Sequence, residues 1–283
     1  MKYMEQDYYI KNTFSKFIEI SGEDRTSFLQ GLITNDINKS HNNNSPIYSC
    51  FLSPQGKFLS DFFIINIDNN YLIEIHEKYF ELFYSKLKIY KLRSKVEFKE
   101  NTNLLSLIIF SKKIPVFSKN TILYNDPRSV NLGVKIYIDE KSNELELIKQ
   151  FKEYDYEIYE QSLMRNLVPN STIDLIENKS LLLENNFQNI NAIDWDKGCY
   201  IGQEITARMK YRSLLKKQIY VLELLSGNIN QGEDIIEQDI NIGNVISKAG
   251  KYVLCMLKIN LVENKSLNKE LIKINSSTNL KFL

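Results

Sequence analysis

Cys199 lies at the centre of Lys197-Gly198-Cys199-Tyr200-Ile201-Gly202-Gln203-Glu204. The thiolate is the nucleophilic and metal-binding form of cysteine, and a helix N-terminus or a neighbouring cation favours it. The octapeptide opens a short helix predicted from about Gly202 to Tyr211. Cys199 is therefore expected near a helix start, where the dipole favours negative charge. Lys197 is expected to add positive charge beside it. Gly198 and Gly202 permit backbone shapes and close approaches closed to other residues. Glu204 and Arg208 are four apart and are expected to pair on one helix face. Gln203 offers both a donor and an acceptor, as an amide-rich heterocycle requires. The plain alternative is a structural turn with an incidental cysteine, because free cysteines are usually buried small hydrophobes.

Other chemistry-bearing residues are sparse. Cys50 and Cys255 complete an odd set of three cysteines without CxxC spacing, which fits a reducing compartment better than a disulfide framework. Only His41 and His76 could help to hold a metal, so no closed zinc site is expected. His76 is read as structural and His41 as solvated. Ser53-Pro54-Gln55-Gly56-Lys57 lacks the first glycine and the Ser/Thr of a phosphate loop. No GxGxxG opens a helix after a strand, so neither nucleotide hydrolysis nor dinucleotide binding is expected.

The elements that must position these residues are legible from turns and periodicity. Strands are predicted at Phe14–Ile20, Ile47–Leu52, Lys57–Ile67, Tyr71–Ile75, Val96–Lys99, Leu104–Phe110 and Val134–Ile138. Asp24 is expected to cap a helix carrying Phe28, Leu29 and Leu32. Glu77–Leu92 has the clearest helical spacing, with Phe80, Phe83, Tyr84, Leu87 and Leu92. Leu145–Leu167 is predicted largely helical, and 171–191 mostly irregular. Beyond Leu214, short strands at Ile219–Leu225, Asp234–Glu237, Ile240–Ser247 and Tyr252–Ile259 alternate with glycines, the pattern of a small β-barrel.

The chain has 283 residues, 43% hydrophobic and 25% charged, enough for two domains. The boundary is expected near residue 216. A formal charge of +1, from 36 basic against 35 acidic residues, gives no long-range field for nucleic acid or anionic membrane. No secretory signal or bilayer-spanning run is read, and a soluble, cytoplasmic protein is expected. Arg208, Lys210, Arg212, Lys216 and Lys217 form a local basic cluster, read either as a solvated face or as an anion-attracting patch.

Lys197 to Glu204, continuing through Ala207 and Arg208, closely resembles the KGCYxGQE signature of the YgfZ family, folate-binding relatives of the glycine-cleavage T-protein. Phe28 to Asp36 is similar to that family's FLQGxxTND segment, and Ser53 to Lys57 to its strand-turn. Asp126-Pro127-Arg128 with Gly133, Leu183-Glu184-Asn185 and Gly243 to Ser247 resemble its later elements in the same order. The resemblance implies an α+β fold. It comprises a ring-like, GcvT-like folate-binding module of two intertwined α/β subdomains (residues 1–216) and a C-terminal β-barrel (217–283). It implies tetrahydrofolate or a derivative in the central cavity and a role in iron–sulfur cluster assembly or maintenance, linked to tRNA modification. Cys199 would be the functional thiol. Lys197, Tyr200, Gln203, Glu204, Arg208, Asn35, Asp36 and Glu184 would shape or line the folate site. The implied partners are folate and iron–sulfur proteins or their assembly factors, with tRNA a weaker one. The basic cluster would then attract the anionic glutamate tail of folate.

The sequence also departs from the T-protein pattern. Where a paired aspartate follows the strand-turn, this chain has Ser60-Asp61. Where the R-x-E-A-G stretch stands, Arg165 is followed by Asn166-Leu167-Val168-Pro169. A general acid or base needs a placed titratable group, so aminomethyl transfer is not expected. A folate-dependent one-carbon transferase is the alternative reading, and a noncatalytic scaffold binding partners through the barrel is a third.

Overall fold

The structure is a computed structural model of the chain and describes residues 6–40, 46–212, 214–274 and 277–283. His41 lies outside the described residues. Two five-stranded sheets form the N-terminal body. One contains β2 (Ser15–Ser21), β3 (Ile47–Leu52), β4 (Phe58–Ile67), β5 (Asn70–His76) and β6 (Glu97–Asn101) in the order β3-β4-β5-β2-β6, all antiparallel. The other contains β1 (Tyr8–Asn12), β7 (Leu104–Phe110), β8 (Ile122–Asn125), β9 (Val134–Asp139) and β10 (Lys152–Tyr154) in the order β10-β1-β7-β9-β8. The chain starts in the second sheet, builds the first, and returns at β7, so the two halves are intertwined. β3 is buried along its whole length and β4 along most of it, which explains their near-continuous apolar sequences.

Three helices belong to this body: α1 (Arg25–Gln30), α2 (Glu77–Lys91) and α3 (Tyr156–Arg165). α2 buries Tyr79, Phe80, Phe83 and Leu87 and is capped by His76, whose Nδ1 accepts from the Lys78 amide at 3.1 Å. Its ends also suit the dipole, with Glu77 in the first turn and Lys88 and Lys91 in the last. Asp24 stands at the start of α1 but makes no side-chain cap there. Its carboxylate instead accepts from the Lys95 amide at 2.7 Å, tying α1 to the lead-in of β6. The predicted helix over Leu145–Leu167 is broken: Lys152–Tyr154 pairs in parallel with Tyr8–Ile10, and α3 starts only after it. Tertiary pairing overrides local propensity at that point.

A third sheet has its own apolar core. It contains β11 (Lys217–Ser226), β12 (Asp234–Glu237), β13 (Ile240–Ala249), β14 (Tyr252–Lys258), β15 (Leu271–Lys273) and β16 (Asn279–Phe282), in the order β12-β13-β14-β11-β16-β15. It forms a nearly closed barrel. The short α4 (Ser171–Asp174) and α5 (Gln203–Tyr211) precede it, and α6 (Ile259–Leu267) leaves β14 directly. The sequence pattern did not reveal α6 or β1. Among the described residues, no helix is long and apolar enough to cross a membrane.

Candidate functional site

The signature loop is fastened from beneath. Lys197 is buried, and its ammonium donates to the carbonyls of Gln30 at 2.9 Å, Ile33 at 2.6 Å and Asn35 at 2.9 Å. One side chain therefore closes the C-terminal end of α1 and the segment after it. Burial lowers its pKa to about 8, against the opposing pull of Asp36 and Asp194. Asp194 Oδ1 accepts the amides of Asp196 and Lys197, while Lys39 pairs with Asp194 Oδ2 at 2.5 Å. The amide of Ile201 donates to the Gly31 carbonyl at 3.1 Å. Lys197 thus gathers the backbone beneath the signature loop.

The two glycines around Cys199 are not equivalent. Gly202 adopts φ +82°, and a Cβ there would lie 2.5 Å from the Ser53 carbonyl oxygen and 2.8 Å from Leu52 Cβ. That close approach seats the loop on the β3–β4 turn just before α5 begins. A Cβ at Gly198 would meet nothing within 4 Å. Between them Cys199 is exposed, whereas Cys50 and Cys255 are buried. Burial pushes the thiols of both buried cysteines up, so Cys199 is the accessible thiol. It precedes α5 by four positions, as the sequence predicted.

The other expected site residues divide. Tyr200 turns inward and joins the core, its hydroxyl buried without a hydrogen-bond partner among the described residues. Glu204 and Arg208 pair at 2.5 Å on the exposed face of α5. Gln203 occupies the first turn of α5, half-buried. Asn35 is a structural joint: its Nδ2 donates to the Tyr48 and Asn191 carbonyls at 2.9 and 2.8 Å. Asp36 Oδ1 accepts from Gln30 Nε2, the Asn38 amide and Asn38 Nδ2, an Asx-type turn. Glu184 forms an ion pair with Lys217 at 3.6 Å. It lines a cleft of about 940 Å³ between α5 and the third sheet, together with Ile205 and Arg208.

A second polar centre lies between the two N-terminal sheets and α3. Glu74 is buried on β5; its Oε1 accepts from Ser15 and Ser106, both at 2.5 Å, and its Oε2 from Tyr137 at 2.7 Å and from the Lys135 ammonium. Burial would raise the Glu74 pKa, yet Lys135 and the hydroxyls hold it below the usual value. Asp126 grips Arg128 through two contacts, at 3.0 and 2.7 Å, and the guanidinium lies 4.8 Å from the Phe63 ring and 5.1 Å from the Tyr48 ring. Sequence reasoning overlooked Glu74 and Lys135. The available signal was a charged residue inside an otherwise apolar strand, which must be paired if buried.

Glu74, Lys135, Arg128 and Ser15 line a cavity of about 70 Å³ that also touches Asp61 and Asn12. Tyr48 donates to Asp61 Oδ2 at 2.5 Å, while Asp61 Oδ1 and Asn12 Oδ1 are buried acceptors without a partner among the described residues. Two orphaned acceptors suit the N–H edge of a pterin. The space does not suit the ring: it is about 70 Å³, against roughly 300–1,000 Å³ for pockets that hold drug-sized ligands. Folate therefore does not fit this cavity as it stands. Cys199, Lys197, Gln203, Asn35 and Asp36 line neither the cavity nor the cleft, so the structure separates the thiol from the central polar centre.

Comparison with known proteins defines the class first. The fold is that of the glycine-cleavage aminomethyltransferases: the crystal structure of aminomethyltransferase T from Bartonella henselae matches at a TM-score of 0.78, covering 98% of this chain and 85% of that one at 10% identity. At the sequence level, the chain is similar to proteins named mitochondrial iron–sulfur cluster assembly factor IBA57 or its homologues. The Neurospora crassa protein is 32% identical over 234 residues, 74% of this chain and 52% of that protein. The Mus musculus protein is 25% identical over 229 residues, 73% of this chain and 63% of that one. The chain thus spans about half to three-fifths of the length of the relatives it matches. No family model matches the sequence.

Proposed function

We propose that this protein is an accessory factor in iron–sulfur cluster assembly or maintenance, with Cys199 as its working thiol. The observation that carries the reading is the presentation of Cys199: an exposed cysteine on a loop held by three lysine–carbonyl bonds and seated by Gly202. The named role of the relatives supports the same direction. The cluster is cargo here. A single thiolate supplies one iron ligand, and clusters usually take four cysteines, so a partner protein supplies the rest. The solvent side of Cys199 is where that partner docks.

Tetrahydrofolate or a derivative is the proposed small-molecule ligand. The fold likeness and the two unpaired acceptors Asp61 Oδ1 and Asn12 Oδ1 support it, and ring entry requires the cavity to widen. No step of the thiol chemistry is routed through it. Aminomethyl transfer is the weaker reading, because Ser60 stands where a second carboxylate would be needed.

The test is anaerobic incubation with an iron–sulfur assembly protein carrying its cluster, followed by isolation of its complex with this chain. Thiolate-to-iron charge-transfer absorption on the wild type and its absence from Cys199→Ser is the expected result. Equal absorption on both would remove Cys199 from the role. Equilibrium dialysis with tetrahydrofolate, comparing wild type with Asp61→Asn, tests the ligand separately. Failure of the wild type to bind would remove folate and leave the thiol reading intact.

A further inference from the structure

The cleft between α5 and the third sheet has no part in the reading above. Its volume of about 940 Å³ falls in the range of small-molecule sites, which favour junctions between structural units. Its floor is apolar, built by Leu181, Ile205, Met209 and Leu215. Its rim is basic: five cations line it against two carboxylates, Glu184 and Glu263. Three of the cations are already engaged. Arg208 pairs with Glu204 at 2.5 Å, Lys217 with Glu184 at 3.6 Å, and Lys258 donates to the Asn241 carbonyl at 2.7 Å. The ammonium groups of the other two, Lys57 and Lys216, have no ion-pair or hydrogen-bond partner among the described residues.

The wall adds to this field. Ile259 and Asn260, in the first turn of α6, line the cleft. That turn has neither a side-chain cap nor an acidic residue; its first amide donates to the Lys216 carbonyl at 3.0 Å, so the positive end of the helix dipole meets a carbonyl there but no charged side chain of its own first turn. A neutral apolar ligand would cover the floor and leave both lysines unpaired. An inorganic anion would pair the lysines and leave the floor wet. A ligand with both properties satisfies both surfaces.

We infer that this cleft binds a small organic anion, its apolar or aromatic body on the Ile205–Met209 floor and its acidic groups at Lys57 and Lys216. The inference stands apart from folate binding and from Cys199, because it needs neither a pterin nor a thiol. It also joins parts of the basic cluster that the sequence grouped together. Arg208, Lys216 and Lys217 line the cleft, whereas Lys210 is turned away, 3.8 Å from the Trp195 ring centroid.

Two dyes with the same aromatic body test it: 8-anilinonaphthalene-1-sulfonate, which is anionic, and N-phenyl-1-naphthylamine, which is neutral. Fluorescence titrations would use the wild type, the double variant Lys57→Gln/Lys216→Gln, and the central-cavity variant Asp61→Asn. Saturable binding of the sulfonate to the wild type is expected, weakened about tenfold in the double variant and unchanged in Asp61→Asn. The neutral dye should change less than about twofold, and added salt should weaken only the sulfonate. Unchanged sulfonate affinity in the double variant would overturn the inference, as would parallel losses of both dyes or no saturable binding by the wild type. Both lysines reach solvent, so matched melting curves will show that the double variant folds.

Discussion

Lys197→Met removes one ammonium from beneath the signature loop and keeps the volume of the side chain nearly constant. Three carbonyls, of Gln30, Ile33 and Asn35, lose a charged donor at 2.6 to 2.9 Å. Hydrogen bonds to charged groups contribute about 1.5–3 kcal/mol each, so the gross loss is roughly 6 kcal/mol. Against it stands relief of a buried charge. Burial takes the lysine from 10.5 to about 8, and at about 1.4 kcal/mol per pKa unit that relief is roughly 3 kcal/mol. The net expectation is a loss of about 3 kcal/mol, or roughly 6–12 °C in Tm for a chain of this size. Lys197→Arg should not restore it, because a planar fork does not reproduce a tripod of donors to three carbonyls. Urea denaturation with an unchanged m-value is the assay. A loss below about 0.5 kcal/mol for Lys197→Met, or full rescue by arginine, would refute the claim that this ammonium pins the loop.

Gly202→Ala should cost more than about 2 kcal/mol, combining a left-handed backbone penalty with a clash at Ser53, while Gly198→Ala should stay within about 0.5 kcal/mol; thermal melts of the pair separate the two glycines. Glu74→Gln leaves the Lys135 ammonium buried beside a neutral amide and should cost about 3–5 kcal/mol, read by chemical denaturation. Asp174, at the contact between α4 and β13, accepts from Ser247 Oγ, and burial raises its pKa to about 6. Its folded pKa exceeds the unfolded value, so its contribution is full below about pH 4 and is lost as pH rises through about 6, roughly 3 kcal/mol in all. Asp174→Asn should flatten the stability–pH curve in that window, and an unchanged slope would contradict the assignment.

The β3–β4 hairpin was legible because Pro54 and Gly56 punctuate two apolar runs, and α5 because the octapeptide leads into it. Gly202 was legible as a glycine that matters, whereas Gly198, of the same type and beside the same cysteine, faces open space. Sequence shows which residues are adjacent but not which side of a loop each occupies. Lys197 and Cys199 are therefore neighbours in the chain and separated by burial in the fold. Asn35 and Asp36 show the same limit: residues that could line a pocket instead satisfy the backbone of a turn. Glu74 and Lys135 lie 61 positions apart, and only the facing of two sheets makes them a pair. The interruption of Leu145–Leu167 by β10 likewise depends on β1, more than a hundred residues upstream.

The most direct test of Cys199 is complementation. Wild type, Cys199→Ser and Cys199→Ala would be expressed at matched levels in cells lacking the endogenous protein, and the activity of an iron–sulfur enzyme measured per unit of that enzyme. Restoration by wild type alone, with both variants folded and left at the deficient level, is the expected result. Full restoration by both variants would contradict the assignment of Cys199 as the working thiol.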